Sequence, residues 1–158
     1  MTQEIVVVLH NVRSLHNVGS VLRTADGAGI SKVYMTGYTP SPVDEMGRVR
    51  KEITKTALGA ENSVAWEHRV DISRLIAELK KEDFYIVALE QHEGAIDYRK
   101  FRPRFPLALV AGNEVRGLSG LLLEKTDASI VIPMRGAKES LNVSVAVGIA
   151  VYGLTDTR

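Results

Sequence analysis

Cysteine is missing from all 158 residues, which excludes disulfides and thiolate chemistry and fits a reducing compartment. No run of apolar residues reaches membrane-spanning length, because charges or turn residues interrupt each one. The opening "MTQEIVVVLHN" carries no basic segment ahead of a long apolar stretch, so no secretory signal is read there. These absences give an expectation of a cytoplasmic protein with no membrane partner and no metal. Repeats, low-complexity tracts and linkers are absent too, and the length predicts a single domain over residues 1–158.

Charge of one sign is also missing in bulk, since the formal net charge is only +1. The basic residues nevertheless bunch, at Arg48, Arg50, Lys51 and Lys55, at Arg99, Lys100, Arg102 and Arg104, and at Arg135 and Lys138. In "YRKFRPRF" the cations alternate with Tyr98, Phe101 and Phe105, a composition suited either to a solvated loop or to phosphate contact with base stacking.

Strand-like runs fall at Glu4–His10, Lys32–Gly37, Ser63–Glu67, Phe84–Leu89, Leu107–Gly112 and Ser129–Met134. Several are continuously apolar, as strands covered on both faces are. Helical periodicity separates them, over Asn17–Ala28 with Asn17 as a possible N-cap, over Ile72–Lys80, and over Ser119–Lys125. The alternation predicts an α/β fold with a mostly parallel sheet flanked by helices. Ligands of such sheets sit beyond the carboxyl ends of the strands, so the residues after His10, Gly112 and Met134 are the ones to inspect.

Three stretches there carry chemistry. In "HNVRSLHNVGSVLRTADGAG", Gly19, Arg23 and Gly27 stand four apart on the helical face opposite the apolar stripe, leaving one cation between small residues. In "LALVAGNEVRGLS" a buried strand ends at Gly112, and Glu114 follows at the mouth of any site there. The glycine spacing is neither that of a dinucleotide-binding turn nor that of a P-loop. In "SIVIPMRGAKESLNVSVAVGIAVYG", Pro133 ends a strand and a basic loop leads to Ser140, Asn142 and Ser144, each a possible N-cap. The apolar run that follows alternates Val143, Val145, Val147, Ile149 and Val151 with smaller residues, which is the period of a strand.

Taken in order, these stretches resemble the three motifs of the SPOUT class of knotted RNA methyltransferases, in its SpoU/TrmH branch of ribose 2′-O-methyltransferases. "N-V-G-S-V-L-R-T-A" at Asn17–Ala25 is similar to the first motif, and "A-G-N-E-x-x-G-L-S" at Ala111–Ser119 to the second. "I-P-M…S-L-N-V-S-V-A" at Ile132–Ala146 is similar to the third, and "KTALGAE" at Lys55–Glu61 also looks like this branch. The resemblance covers nearly the whole chain.

It implies a sheet whose C-terminal segment threads through a loop as a deep trefoil knot, a topology rare among proteins. It implies S-adenosylmethionine as cofactor, held in the knot at Gly112, Ile132 and Leu141, with Ala111, Asn113, Met134 and Asn142 as neighbours and Leu89 completing the adenine side. It implies a homodimer in which Arg23 of one subunit meets Glu114, Ser140 and Asn142 of the other, with Asn17 in the same catalytic set. The substrate implied is RNA, tRNA or rRNA, contacted by Arg48, Arg50, Lys51, Arg99, Arg102, Arg104, Arg135 and Lys138. On this resemblance the apolar run after Asn142 becomes a helix packed between core and partner. With no separate RNA-binding domain expected ahead of the core, the core itself must find its RNA. Two other readings stay open, a non-catalytic RNA- or cofactor-binding member of the same fold and an unrelated doubly wound nucleotide-binding protein.

Overall fold

The computed structural model describes residues 3–155, so the predicted domain over 1–158 has its ends, residues 1–2 and 156–158, outside the described part. The elements run β1 (Ile5–His10), α1 (Leu15–Ala28), β2 (Lys32–Thr36), α2 (Lys51–Ala57), α3 (Ala60–Ser63) and β3 (Ala65–Arg69). They continue with α4 (Ile72–Lys81), β4 (Tyr85–Leu89), β5 (Ile96–Asp97), β6 (Leu107–Ala111), α5 (Gly120–Glu124), β7 (Ala128–Val131) and α6 (Val143–Thr155).

One seven-stranded sheet has the order β3-β2-β1-β6-β4-β7-β5, and every pairing in it is parallel. The predicted α/β fold with a parallel sheet flanked by helices holds. β6 is buried along its whole length, as its unbroken "LALVA" anticipates. β1 shows how the two faces are served: Ile5, Val7 and Leu9 join the core under α1, α2 and α6, while Val6 and Val8 join that under α4 and α5. The period-two alternation of the strand does this sorting.

Several boundaries shift for local reasons. Ser14, three residues before the predicted cap Asn17, caps α1 by accepting from the Asn17 backbone N–H at 3.2 Å. β7 ends at Val131 instead of Met134, two residues before Pro133. The predicted strand at Ser63–Glu67 begins only at Ala65, because Ala60–Ser63 forms a turn of helix. α2 and α3 bury three side chains between them, too few to announce a helix by periodicity.

α6 is a helix, in agreement with the resemblance and against the alternation of its sequence. Its buried residues Val143, Val147, Ala150, Val151 and Leu154 follow helical spacing, and the remaining apolar residues lie on its other faces. Asn142 stands just before it, its side-chain oxygen accepting from the Ser144 N–H at 2.9 Å. Gly27 faces α6 closely, since a Cβ there would lie 2.9 Å from the Tyr152 hydroxyl, whereas a Cβ at Gly148 would make only ordinary contact with Thr24 at 3.6 Å.

Gly19 does not share the open face expected for it. It is buried, and a Cβ there would overlap the Ile53 carbonyl oxygen of α2 and lie 3.0 Å from the Ala57 backbone nitrogen. Backbone cannot move aside as a side chain can, so Gly19→Ala should cost roughly 1–3 kcal/mol of stability, read as a lowered urea midpoint at unchanged m-value.

Candidate functional site

The carboxyl ends of β4, β6 and β7, three strands side by side, meet the loop that enters α6 and enclose a cleft of about 200 Å³. Its wall includes Leu89, Ala111, Gly112, Asn113, Ile132, Met134 and Leu141, all of the predicted cofactor set except Asn142. Glu114 and Ser140 of the predicted catalytic set line it as well. Leu89, Ala111, Ile132, Met134, Leu141, Val143 and Ala146 make much of that wall apolar. No backbone-to-backbone hydrogen bond closes Ile132–Met134 or Ser140–Leu141 onto the rest of the described chain. Those N–H and C=O groups are therefore open to a ligand.

Two glycines and one carboxylate shape the second motif's loop. A Cβ at Gly112 would meet Leu118 Cδ2 at 2.7 Å and the Gly117 carbonyl at 3.0 Å, so only glycine lets the loop fold back there. Gly117 is left-handed at φ 62°, and a Cβ on it would overlap the Glu90 carboxylate. Glu90 is a wall residue that the sequence reading passed over, although it follows β4 directly at the carboxyl edge. One of its oxygens accepts from the Leu118 N–H at 2.7 Å and the other from the Gln91 N–H at 3.0 Å. It ties the end of β4 to the loop after β6.

Asn113 is occupied in the same work. Its side-chain oxygen accepts from the N–H groups of Val115 and Arg116 at 2.8 and 3.1 Å, and its NH₂ donates to the Asn11 carbonyl at 3.1 Å and the Tyr38 hydroxyl at 3.2 Å. Its amide therefore builds the wall, and what it offers the cleft is surface.

At the rim, three residues far apart in sequence meet. The Asn17 amide donates to Glu114 Oε1 at 2.8 Å, and Asn142 donates to Asn17 Oδ1 at 3.2 Å, joining the start of α1, the loop after β6 and the residue before α6. Asn142 thus stands in the polar rim beside the cleft. Arg23 is exposed about two turns along α1; it lines no part of the cleft and has no hydrogen-bond or ion-pair partner among the described residues.

The basic residues fare unequally. Arg48 is paired with Asp44 at 2.9 Å. Arg99 forks onto Asp97 at 2.6 and 3.0 Å, and these hydrogen bonds hold the Asp97 carboxyl down at about 2. Arg50 is half-buried with its Nε unpartnered, and Arg104 lies over the Tyr85 ring at 5.2 Å. Lys51, Arg102, Arg135 and Lys138 are exposed, the last two on the loop that leads to Ser140. Of the six arginines in the three basic clusters, Arg48, Arg99 and Arg104 are therefore already engaged by neighbouring groups.

If Glu90 holds the wall, Glu90→Ala should speed amide exchange at Gly117 and Leu118 and cost roughly 1.5–3 kcal/mol, the worth of hydrogen bonds to a charged acceptor. Glu90→Gln, which keeps an acceptor, should cost less.

With this geometry the chain can be compared with known proteins. Residues 4–152 match the SpoU rRNA methylase family. A Staphylococcus haemolyticus protein, named for the TrmH family of tRNA/rRNA methyltransferases, is 35% identical over 147 residues, covering 93% of this chain and 56% of that protein. The chain therefore spans little more than half the length of that relative. The AdoMet-bound structure of an rRNA methyltransferase from Sinorhizobium meliloti aligns with a TM-score of 0.87 at 28% identity, over 98% of this chain and 56% of the other. A solved RNA 2′-O ribose methyltransferase aligns at 0.84 and 27% identity, over 98% and 56%. The ordered motifs, the parallel sheet and the family match agree, and the chain belongs to the SpoU rRNA methylase family.

Proposed function

We propose that the protein transfers a methyl group from S-adenosylmethionine to a ribose 2′-hydroxyl of tRNA or rRNA, acting as a homodimer in the cytoplasm. The observation that carries this reading is the Glu114–Asn17–Asn142 hydrogen-bonded rim, which sets polar groups of all three motifs beside an apolar-walled cleft. The names of the relatives support the same substrate and cofactor.

The wall fits the cofactor by its chemistry. Leu89, Ala111, Ile132 and Leu141 offer apolar surface to an adenine, and the unpaired backbone groups of Ile132–Met134 and Ser140–Leu141 offer hydrogen bonds to its polar edges. Bound there, S-adenosylmethionine supplies a sulfonium-activated methyl group. The chain's own task is to bring the ribose hydroxyl into line and take its proton, because such a hydroxyl is a poor nucleophile. Arg23 cannot be the proton acceptor, since a guanidinium stays protonated in proteins. In this reading it binds the adjoining phosphate and orients the hydroxyl, a service worth several kcal/mol and of order 7 in favourable cases. Glu114, with one oxygen held by Asn17, keeps the other free for the proton, and Ser140 and Asn142 supply hydrogen bonds.

Placing Arg23 at a partner's cleft, as in the resembling family, accounts for its distance from its own. The dimer contact in this reading is formed by α1 and α6, where Val145 and Tyr152 remain exposed on a helix otherwise apolar all round. The chain then acts as a single domain, and its α6 segment threads the knot.

The test is radiolabelled methyl transfer to total tRNA and rRNA from a strain lacking the gene, followed by nucleoside analysis. A labelled 2′-O-methylnucleoside is expected; cofactor binding without transfer to either RNA would make the protein a non-catalytic binder. Arg23→Ala should lower kcat at least 100-fold at saturating RNA while the cofactor Kd stays within twofold, and Arg23→Lys should recover little, having lost the planar fork. Mixing Arg23→Ala with Asn142→Ala chains should restore roughly a quarter of the sites by random pairing of subunits. Near-normal turnover in Arg23→Ala would overturn the assignment.

A further inference from the structure

Beside the cleft, the ends of β1 and β2 hold an aromatic side chain in an unusual way. Both strands leave the sheet through left-handed residues, Asn11 at φ 55° and Gly37 at φ 62°. A Cβ at Gly37 would overlap the Asn11 side-chain oxygen, so the two turns interlock. Asn11 Oδ1 accepts from the Tyr38 backbone N–H at 3.1 Å, and its NH₂ contacts His10 Nε2 at 3.2 Å. His10 Nδ1 lies 2.9 Å from the Thr36 hydroxyl, which itself donates to the Leu9 carbonyl. The ring thus donates through Nδ1 and accepts through Nε2, the neutral form, and burial holds its pKa below the ordinary value.

This framework fixes Tyr38. Its backbone is held by Asn11, and its hydroxyl accepts from the Asn113 NH₂ at 3.2 Å. The ring remains 49% exposed, and the Arg13 guanidinium lies over it, 5.0 Å from the centroid. Arg13 has neither an ion-pair nor a hydrogen-bond partner among the described residues. Arg48 and Arg99, by contrast, are each neutralised by an aspartate two to four residues away. The Tyr38 hydroxyl, an acceptor toward Asn113, also keeps its proton free to donate.

An aromatic ring anchored at both ends, carrying an unpaired guanidinium and a spare O–H, is a preorganised platform without an internal partner. From it we infer that Arg13 and Tyr38 form a subsite for an RNA nucleotide flanking the one that is methylated. Its phosphodiester sits on Arg13 and the Tyr38 hydroxyl, and its unpaired base stacks against the guanidinium plane. Asn113 makes the connection to the cleft, since the amide that holds the Tyr38 hydroxyl also shapes the wall loop. The subsite rests on the reading of RNA as substrate, but not on methyl transfer.

Fluorescein-labelled bulk tRNA and rRNA from a strain lacking the gene serve as the probe, titrated across KCl concentrations, with cofactor affinity measured by calorimetry. Arg13→Ala should weaken RNA binding about 10-fold near physiological salt and flatten the log–log salt slope by about 1, with the cofactor Kd within twofold. Arg13→Lys should keep the slope but lose severalfold in affinity. Tyr38→Phe, which keeps the ring but loses the hydroxyl's hydrogen bond to the phosphate, should lose severalfold, and Tyr38→Ala should lose at least as much as Arg13→Ala. Should Tyr38→Ala fail to fold, Arg13→Ala and Tyr38→Phe still decide.

Unchanged RNA affinity and slope in Arg13→Ala would overturn the subsite, and if the wild type still methylates RNA the function stands without it. Loss of binding in Arg13→Ala, with a wild type that binds RNA but never methylates it, would support the subsite and refute the transfer. A wild type that binds neither RNA overturns both.

Discussion

The parallel pairing of β6 with β1 on one side and β4 on the other is the constraint on which the rest depends. Its register sets Leu9 and Leu89 both opposite Ala111, so three strands end at one level. That level is where the cleft opens. A slip of one residue would turn every side chain of β6 to the opposite face, and the strand is buried on both faces, so the core itself enforces the alignment. Everything at the rim inherits its position from this. Glu90 reaches Leu118, and Asn113 reaches Asn11, only because the strand ends that carry them are level.

Beyond the strand ends, side-chain amides and two carboxylates, Glu90 and Glu114, replace the regular ladder. Asn11, Asn17, Asn113 and Asn142 each bridge segments that are distant in sequence, and each uses both its donor and its acceptor side. An amide can do this without bringing net charge into a half-buried place, where an ion would demand a partner. The charges that remain free, Arg13, Arg23 and Arg135 among them, are left for whatever approaches from solvent.

The sheet was legible because its strands are apolar runs of strand length set between helical periodicities. The cleft was legible through the motifs, since seven of the eight residues expected to hold the cofactor line it. What stayed hidden depends on geometry that periodicity does not encode. Glu90 looks like any surface carboxylate until β4 and the loop after β6 are brought together. Gly19 seemed to belong to an open face because the helix it packs against, α2, buries only Ile53 and Ala57 and gave no helical signal. Tyr38 and Arg13 lie 25 positions apart in sequence and outside the motifs, so their stacking could be found only in space. The alternation of α6 misled because β-branched residues filled several of its faces, leaving a strand's rhythm on a helix.

The hydrogen bond between Asn142 and Asn17 spans 125 residues of sequence. During synthesis, α1 and the loop after β6 are complete long before the segment that carries Asn142 leaves the ribosome. A nascent chain can therefore form the Asn17–Glu114 half of the rim early, but the cleft gains its fourth side only with the loop and helix that follow β7. Closing so long a span is entropically slow compared with forming local contacts. A chain broken off before Asn142 would therefore lack the fourth side of the cleft and the bond that ties it to α1.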